Sequence, residues 1–290
     1  MTNGLILAIF GFWILVLLYI ALRGWGLSWA ILTAALGLGT SLGQFTHLPA
    51  AAWTVTLDPQ VSELLAVIIL IAIFSQLLRD SHRMEGVSEY LIRVLQSPRW
   101  VLIAVPALVG LIPMPGGAMF TAPITDEVGN TIKLKPADKV FSNYWFRHCW
   151  ELAFPLYPGI ILAAGLMKVS PAELAWRLMP LAVAALAGGV LVFWHNSGKH
   201  GNQEMLHRAE NNVSWLVLWP ILAVVGLAVV RLPLIPGLAG IILWYALAER
   251  IPWRRFVQTC REAVQWPIVL LVWAVFLFGR ELQDTGVLSA

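Results

Sequence analysis

Pro113-Met114-Pro115-Gly116-Gly117-Ala118-Met119-Phe120-Thr121-Ala122-Pro123 lies between two apolar arms, near 100–112 and 118–130. At 1.5 Å per residue each arm reaches only about 20 Å, short of the ~30 Å hydrocarbon core of a bilayer. Two Pro and two Gly at the junction stop the first arm, so the pair reads as a re-entrant hairpin over 100–130. The alternative is one spanning helix kinked by proline. In the hairpin reading the second arm starts at membrane depth, with free N–H groups and a positive dipole end suited to an anion or carboxylate. Pro115, Gly116, Gly117, Ala118 and Thr121 are the candidate residues: glycine lets backbone approach a ligand, and Thr121 adds a hydroxyl. A plain tight turn between two packed helices is the structural alternative.

Working outward, the surroundings are those of lipid. Of 290 residues, 59% are hydrophobic and 12% charged, with a mean hydropathy of +0.77; a soluble domain carries about 25% charged residues. Apolar runs near 4–22, 27–46, 61–78, 137–167, 172–193, 213–230, 233–248 and 265–279 are candidate spanning helices. The first run has no basic residue before it and no clear cleavage site after it, so it reads as a retained helix rather than a signal peptide. Basic amphipathic stretches near 82–98 and 252–263 suit helices lying on the membrane surface. Several of the 15 Trp, among them Trp25, Trp53, Trp100 and Trp253, fall near segment ends, where interfacial anchors sit. Cys149 and Cys260 are too few and too far apart for a disulfide framework.

Orientation follows from the Lys and Arg residues in loops. With the N-terminus outside and the hairpin entering from the cytoplasm, the inner side holds Arg23, Arg79, Arg83, Arg93, Arg99, Lys133, Lys135, Lys139, Lys199, Arg208, Arg250, Arg254, Arg255 and Arg261. The outer side holds Lys168, Arg177, Arg231 and Arg280, and Arg147 falls inside the membrane. A kinked spanning helix would scramble this bias, which favours the hairpin.

The segment order also repeats. Two spans, a polar connection, a third span and an Arg-acid exit occur twice: Arg79-Asp80 leads to Gly86-Val87, and Arg280-Glu281 leads to Gly286-Val287, about 200 residues on. Five spans plus a hairpin in the first unit start the second on the opposite side, which is an inverted repeat. The expected organisation is a first repeat over 1–195, a cytoplasmic linker over 196–212 and a partial second repeat over 213–290. The second repeat stops where its own hairpin is due, so about 100 further residues are expected if the halves match.

A second constellation is Asn143-Tyr144-Trp145-Phe146-Arg147-His148-Cys149-Trp150-Glu151, followed by Pro155-Leu156-Tyr157-Pro158-Gly159. Asn143, Arg147 and Glu151 stand at i, i+4 and i+8 on one helix face, and His148 also reaches Glu151. Ionisable groups inside a span are costly and usually face a pathway; a buried Arg147–Glu151 pair that only fixes packing is the bland alternative. Arg147 is the expected partner of an anionic solute, with Glu151 or His148 carrying a proton or helping to hold a cation. Pro155 and Pro158 break the helix beside Tyr157, freeing carbonyls that Na⁺ uses in transporters. His148 and Glu151 alone are too few for a metal centre. No nucleotide-binding or serine-hydrolase motif occurs, and nothing points to nucleic acid.

These two motifs, Pro113–Ala118 with Thr121-Ala122-Pro123 and Asn143–His148 with Trp150-Glu151 and Pro155–Pro158, resemble the prokaryotic membrane-protein family catalogued as domain of unknown function 401. That family in turn resembles the ion transporter superfamily of citrate, gluconate and dicarboxylate carriers. The resemblance implies inverted repeats, each with a re-entrant hairpin and a broken helix around solute and Na⁺ or H⁺. The dicarboxylate carriers have Ser-Asn-Thr at their hairpin tips where this chain has Pro-Gly-Gly-Ala, so their ion sites and substrate do not carry over. The expected fold is all-α and polytopic, an inverted-repeat transporter with an incomplete second repeat. The expected function is secondary active transport of a small anionic or carboxylate solute coupled to H⁺ or Na⁺, with no cofactor and no catalytic residue. The expected setting is the inner membrane of a prokaryote, with a homodimer as the default assembly. A non-transporting membrane component or degenerate fragment is the alternative, and a membrane-embedded enzyme using His148 and Glu151 a third.

Overall fold

The computed structural model describes residues 2–114, 117–197, 214–230 and 232–289. Among these residues it has fourteen α-helices, three short 3₁₀ turns and no strand. Four helices are long and apolar enough to cross a membrane: α1 (Asn3–Leu22), α4 (Pro59–Asp80), α10 (Pro171–Asn196) and α14 (Trp266–Asp284). A multi-pass membrane protein is compatible with this set. None of α1 is buried by protein, as befits a helix apolar all round.

The chain forms two compact units. Residues 1–69 and 264–290 make one, holding α1, α2 (Leu27–Ser41), α3 (Leu48–Leu57), the start of α4, and α14. Its centre is Ala35, Ala51, Val55, Val61 and Leu277. Trp13 of α1 lies on Gly37 of α2, where a Cβ would collide with the indole, and donates to the Ser41 hydroxyl at 3.0 Å. The run expected over 27–46 stops at Ser41 because Gly43 turns left-handed, with φ 78°. Gly43 and Gln44 then return their N–H groups to Thr40 and Gly39, a Schellman closure. The sequence reading did not foresee α3. Ten residues are too short to span, yet Pro49 starts the helix and Asp58 after it caps α4 through the Gln60 N–H at 2.8 Å.

Residues 70–263 make the other unit. The two basic amphipathic stretches are helical, as α5 (Arg83–Leu95) and α13 (Trp253–Ala263). The short arms are present as α6 (Pro98–Gly110) and α7 (Gly117–Thr131), packed against each other. The next apolar run is broken as expected. α8 (Pro136–His148) passes into a 3₁₀ turn over Cys149–Leu152, and α9 (Pro158–Met167) begins after an irregular stretch containing Pro155. Proline sits in the first turn of α6, α8, α9 and α10, where its missing N–H is lost at no cost. The remaining runs give α11 (Trp219–Val229), preceded by a 3₁₀ turn, and α12 (Leu234–Ala248). Both are short for a span. Most of the linker expected over 196–212 lies outside the described residues.

Candidate functional site

α8 is the element that organises the site, and its residues divide by face. Ser142 donates to the Leu102 carbonyl of α6 at 2.5 Å, and Trp145 to the Ala185 carbonyl of α10 at 2.9 Å. Just past the helix end, Trp150 donates to the Ala107 carbonyl of α6 at 2.8 Å. The stripe Lys139, Asn143, Arg147 points toward the second arm. Lys139 pairs with Asp126 at 2.7 Å and donates to Asn130 at 2.5 Å. Its ammonium holds the Asp126 carboxyl below the usual range, by hydrogen bond first and by charge second. Asn143 donates to the Ala118 carbonyl at 2.9 Å and accepts from the Thr121 hydroxyl. Thr121 is fully buried and also reaches back to the Gly117 carbonyl at 3.3 Å.

Arg147 stands apart from its two neighbours on the stripe. It is 4% exposed. One guanidinium nitrogen donates to the Met114 carbonyl at 2.8 Å, and Nε has no hydrogen-bond partner. No carboxylate pairs with it among the described residues. The guanidinium lies against Gly117, the first residue of α7, where any Cβ would fall on it. On the other side, Gly110 of α6 packs against the backbone of Arg147 itself, so a Cβ there would strike the Arg147 carbonyl. The site therefore combines a buried cation with the positive end of a 15-residue helix.

Two expectations need correction. Asn143 and Arg147 do share a face, but Glu151 does not continue it. The helix tightens to 3₁₀ at Cys149, and three residues per turn rotate Glu151 out of the stripe. Glu151 instead meets the His148 ring at 2.6 Å, with its side chain 47% exposed, so the Arg147–Glu151 pair does not form. The third member of the stripe is Lys139, which the sequence reading placed in a cytoplasmic loop. Tyr157 is buried, and its hydroxyl donates to the Gly110 carbonyl at 2.5 Å. It locks the broken segment onto α6 and offers its proton to nothing else. Pro115 and Gly116 lie outside the described residues. Ser75 of α4 was missed as well; it donates to the Pro113 carbonyl at 3.1 Å and so holds the end of the first arm.

Fold and site together define an all-helical protein with four helices long and apolar enough to cross a membrane, two short arms packed on a broken helix, and a buried arginine where they meet. The chain belongs to the family described as protein of unknown function DUF401, whose sequence profile matches residues 5–290. A search of curated proteins finds no match.

Proposed function

We propose that this chain is a secondary active transporter, or part of one, for a small anionic solute such as a carboxylate, driven by H⁺ or Na⁺. One observation carries the reading: Arg147 is buried, and its charge has no ion-pair partner among the described residues. Desolvating a cation costs several kcal/mol, while one hydrogen bond to a carbonyl returns roughly 1.5–3 kcal/mol. An anion placed between the guanidinium and the start of α7 would supply what is missing. Asn143 and Lys139, one and two turns earlier, are already engaged, which leaves Arg147 as the one member of the stripe open to a ligand.

The wider transporter plan has support of its own. The Arg-acid pair that closes α4, Arg79-Asp80, recurs as Arg280-Glu281 near the end of α14, about 200 residues on, which supports an inverted repeat. The Lys and Arg distribution supports a cytoplasmic position for the hairpin's entrance, α5 and α13, with the N-terminus outside, and an inner membrane as the setting. A carboxylate carrier of the ion transporter type fits these features, with a homodimer as its assembly.

The test is uptake of labelled citrate, gluconate and succinate into proteoliposomes holding the full chain, under an imposed pH or Na⁺ gradient. Accumulation of at least one solute, lost in Arg147→Ala and Gly117→Leu, supports the reading. Undiminished uptake in both variants overturns the assigned site.

A further inference from the structure

Arg147 is one of two side chains among the described residues with a buried polar atom lacking any partner; the other is Glu281 Oε2. Glu281 lies one turn before the end of α14, in the unit formed by residues 1–69 and 264–290, and is 2% exposed. Oε2 is buried and closed in by Gly39 and Leu48. A Cβ added to Gly39 of α2 would come within 2.5 Å of Oε2 and 2.7 Å of a Leu48 methyl of α3. Only glycine lets α2 approach this closely.

The charged groups around it leave Glu281 without a partner. Arg280, its neighbour in sequence, turns to Asp284 at 2.8 Å. The amide of Gln44 goes to the Asp284 backbone carbonyl at 3.1 Å, and the Thr285 hydroxyl to the Glu281 backbone carbonyl at 2.5 Å. His47, ahead of α3, is the remaining titratable group in electrostatic range, and it forms no ion pair with Glu281. α2, α3 and the closing 3₁₀ turn carry no titratable side chain of their own.

An ionised carboxylate in such a place is uncompensated. A hard metal cation would need several oxygens around it at once, and Gly39 and a Leu48 methyl close in beside Oε2. A proton needs one oxygen. We infer that Glu281 is a proton-binding site of this protein, and that it is the group through which H⁺ drives solute movement. The second half rests on the transport reading above. The first does not, since it follows from the surroundings of the carboxyl.

Infrared spectroscopy of the purified full chain in lipid nanodiscs reads protonated carboxyls directly through their carbonyl stretch. The expected result is such a band at neutral pH in the wild type, absent in Glu281→Gln and retained in Asp284→Asn. No band at neutral pH, or a band that survives Glu281→Gln, overturns the proton site. Should Glu281→Gln fail to fold, Gly39→Ala serves, because its methyl presses on Oε2: a shifted band supports the site and an unshifted one overturns it. In proteoliposomes, Glu281→Gln should lose uptake driven by a pH gradient while keeping exchange of labelled for unlabelled solute. Full gradient-driven uptake in Glu281→Gln overturns the coupling role. Absence of all uptake in the wild type, with the infrared band intact, counts against the transport reading and leaves the proton site standing.

Discussion

The Arg147 pocket and the Glu281 pocket are built alike, one around a basic and the other around an acidic side chain. Each holds an ionisable side chain almost fully buried by protein, with one polar atom lacking a partner. Each is closed by a glycine whose Cβ would land on that side chain, Gly117 in one and Gly39 in the other. They differ in what the backbone offers. Arg147 has the Met114 carbonyl and the start of α7; Glu281 Oε2 has no hydrogen-bond donor. Asp80, which ends α4 with the same Arg-acid pattern that Arg280-Glu281 repeats in α14, shows that the pattern alone does not decide the outcome. Both of its oxygens are satisfied, by Gln76 at 2.8 Å and by Thr259 of α13 at 2.9 Å. The packing neighbour decides: α13 brings a hydroxyl to one acid, whereas α2 brings only a glycine to the other.

The largest test of the contrast is functional. Arg147→Ala should abolish both gradient-driven uptake and solute exchange, whereas Glu281→Gln should abolish the first alone. Identical defects in the two variants would erase the distinction between a solute site and a proton site. A stability comparison comes next. Gly110→Ala drives a methyl into the Arg147 backbone carbonyl and should destabilise the folded protein by about 1–3 kcal/mol in thermal melts. Gly188→Ala, facing open space, should be neutral or stabilising by up to about 1 kcal/mol. Asp80→Asn weakens a satisfied acid and should cost on the order of 1 kcal/mol, whereas Glu281→Gln removes no hydrogen bond. The smallest effect is at Asp126. Lys139 lowers its folded-state pKa, so the pair's contribution is present above the unfolded carboxyl value of about 3.9. It is lost as pH falls through the lower folded value. The gap in melting temperature between wild type and Asp126→Asn should therefore narrow below about pH 4, and a gap unchanged at that pH would break the assignment.

Most helix breaks were legible because proline and glycine act locally: Pro113 follows the end of one arm, and Pro155 and Pro158 divide the next run. Helices α5 and α13 were legible from their basic amphipathic spacing. Lone residues whose meaning depends on a distant neighbour were not. Helical spacing put Asn143 and Arg147 on one face, but no local signal announces the change to 3₁₀ that moves Glu151 away. Lys139 read as a loop charge because its partners Asp126 and Asn130 are on another helix. Glu281 read as the exit of a span, since nothing near it in sequence reveals that Gly39 will close over its carboxyl. α3 escaped because a ten-residue apolar segment has no membrane-spanning signature.

The central claim, that Arg147 holds an anion, is tested most directly by thermal unfolding of the full chain in nanodiscs. The anions are citrate, gluconate and succinate, at matched ionic strength against chloride. At about 100 times its dissociation constant, a bound anion stabilises the folded state by about 2.7 kcal/mol. The predicted result is that at least one of the three raises the wild-type midpoint and leaves Arg147→Gln unmoved. Equal stabilisation of Arg147→Gln, or no stabilisation of the wild type by any of them, would contradict it.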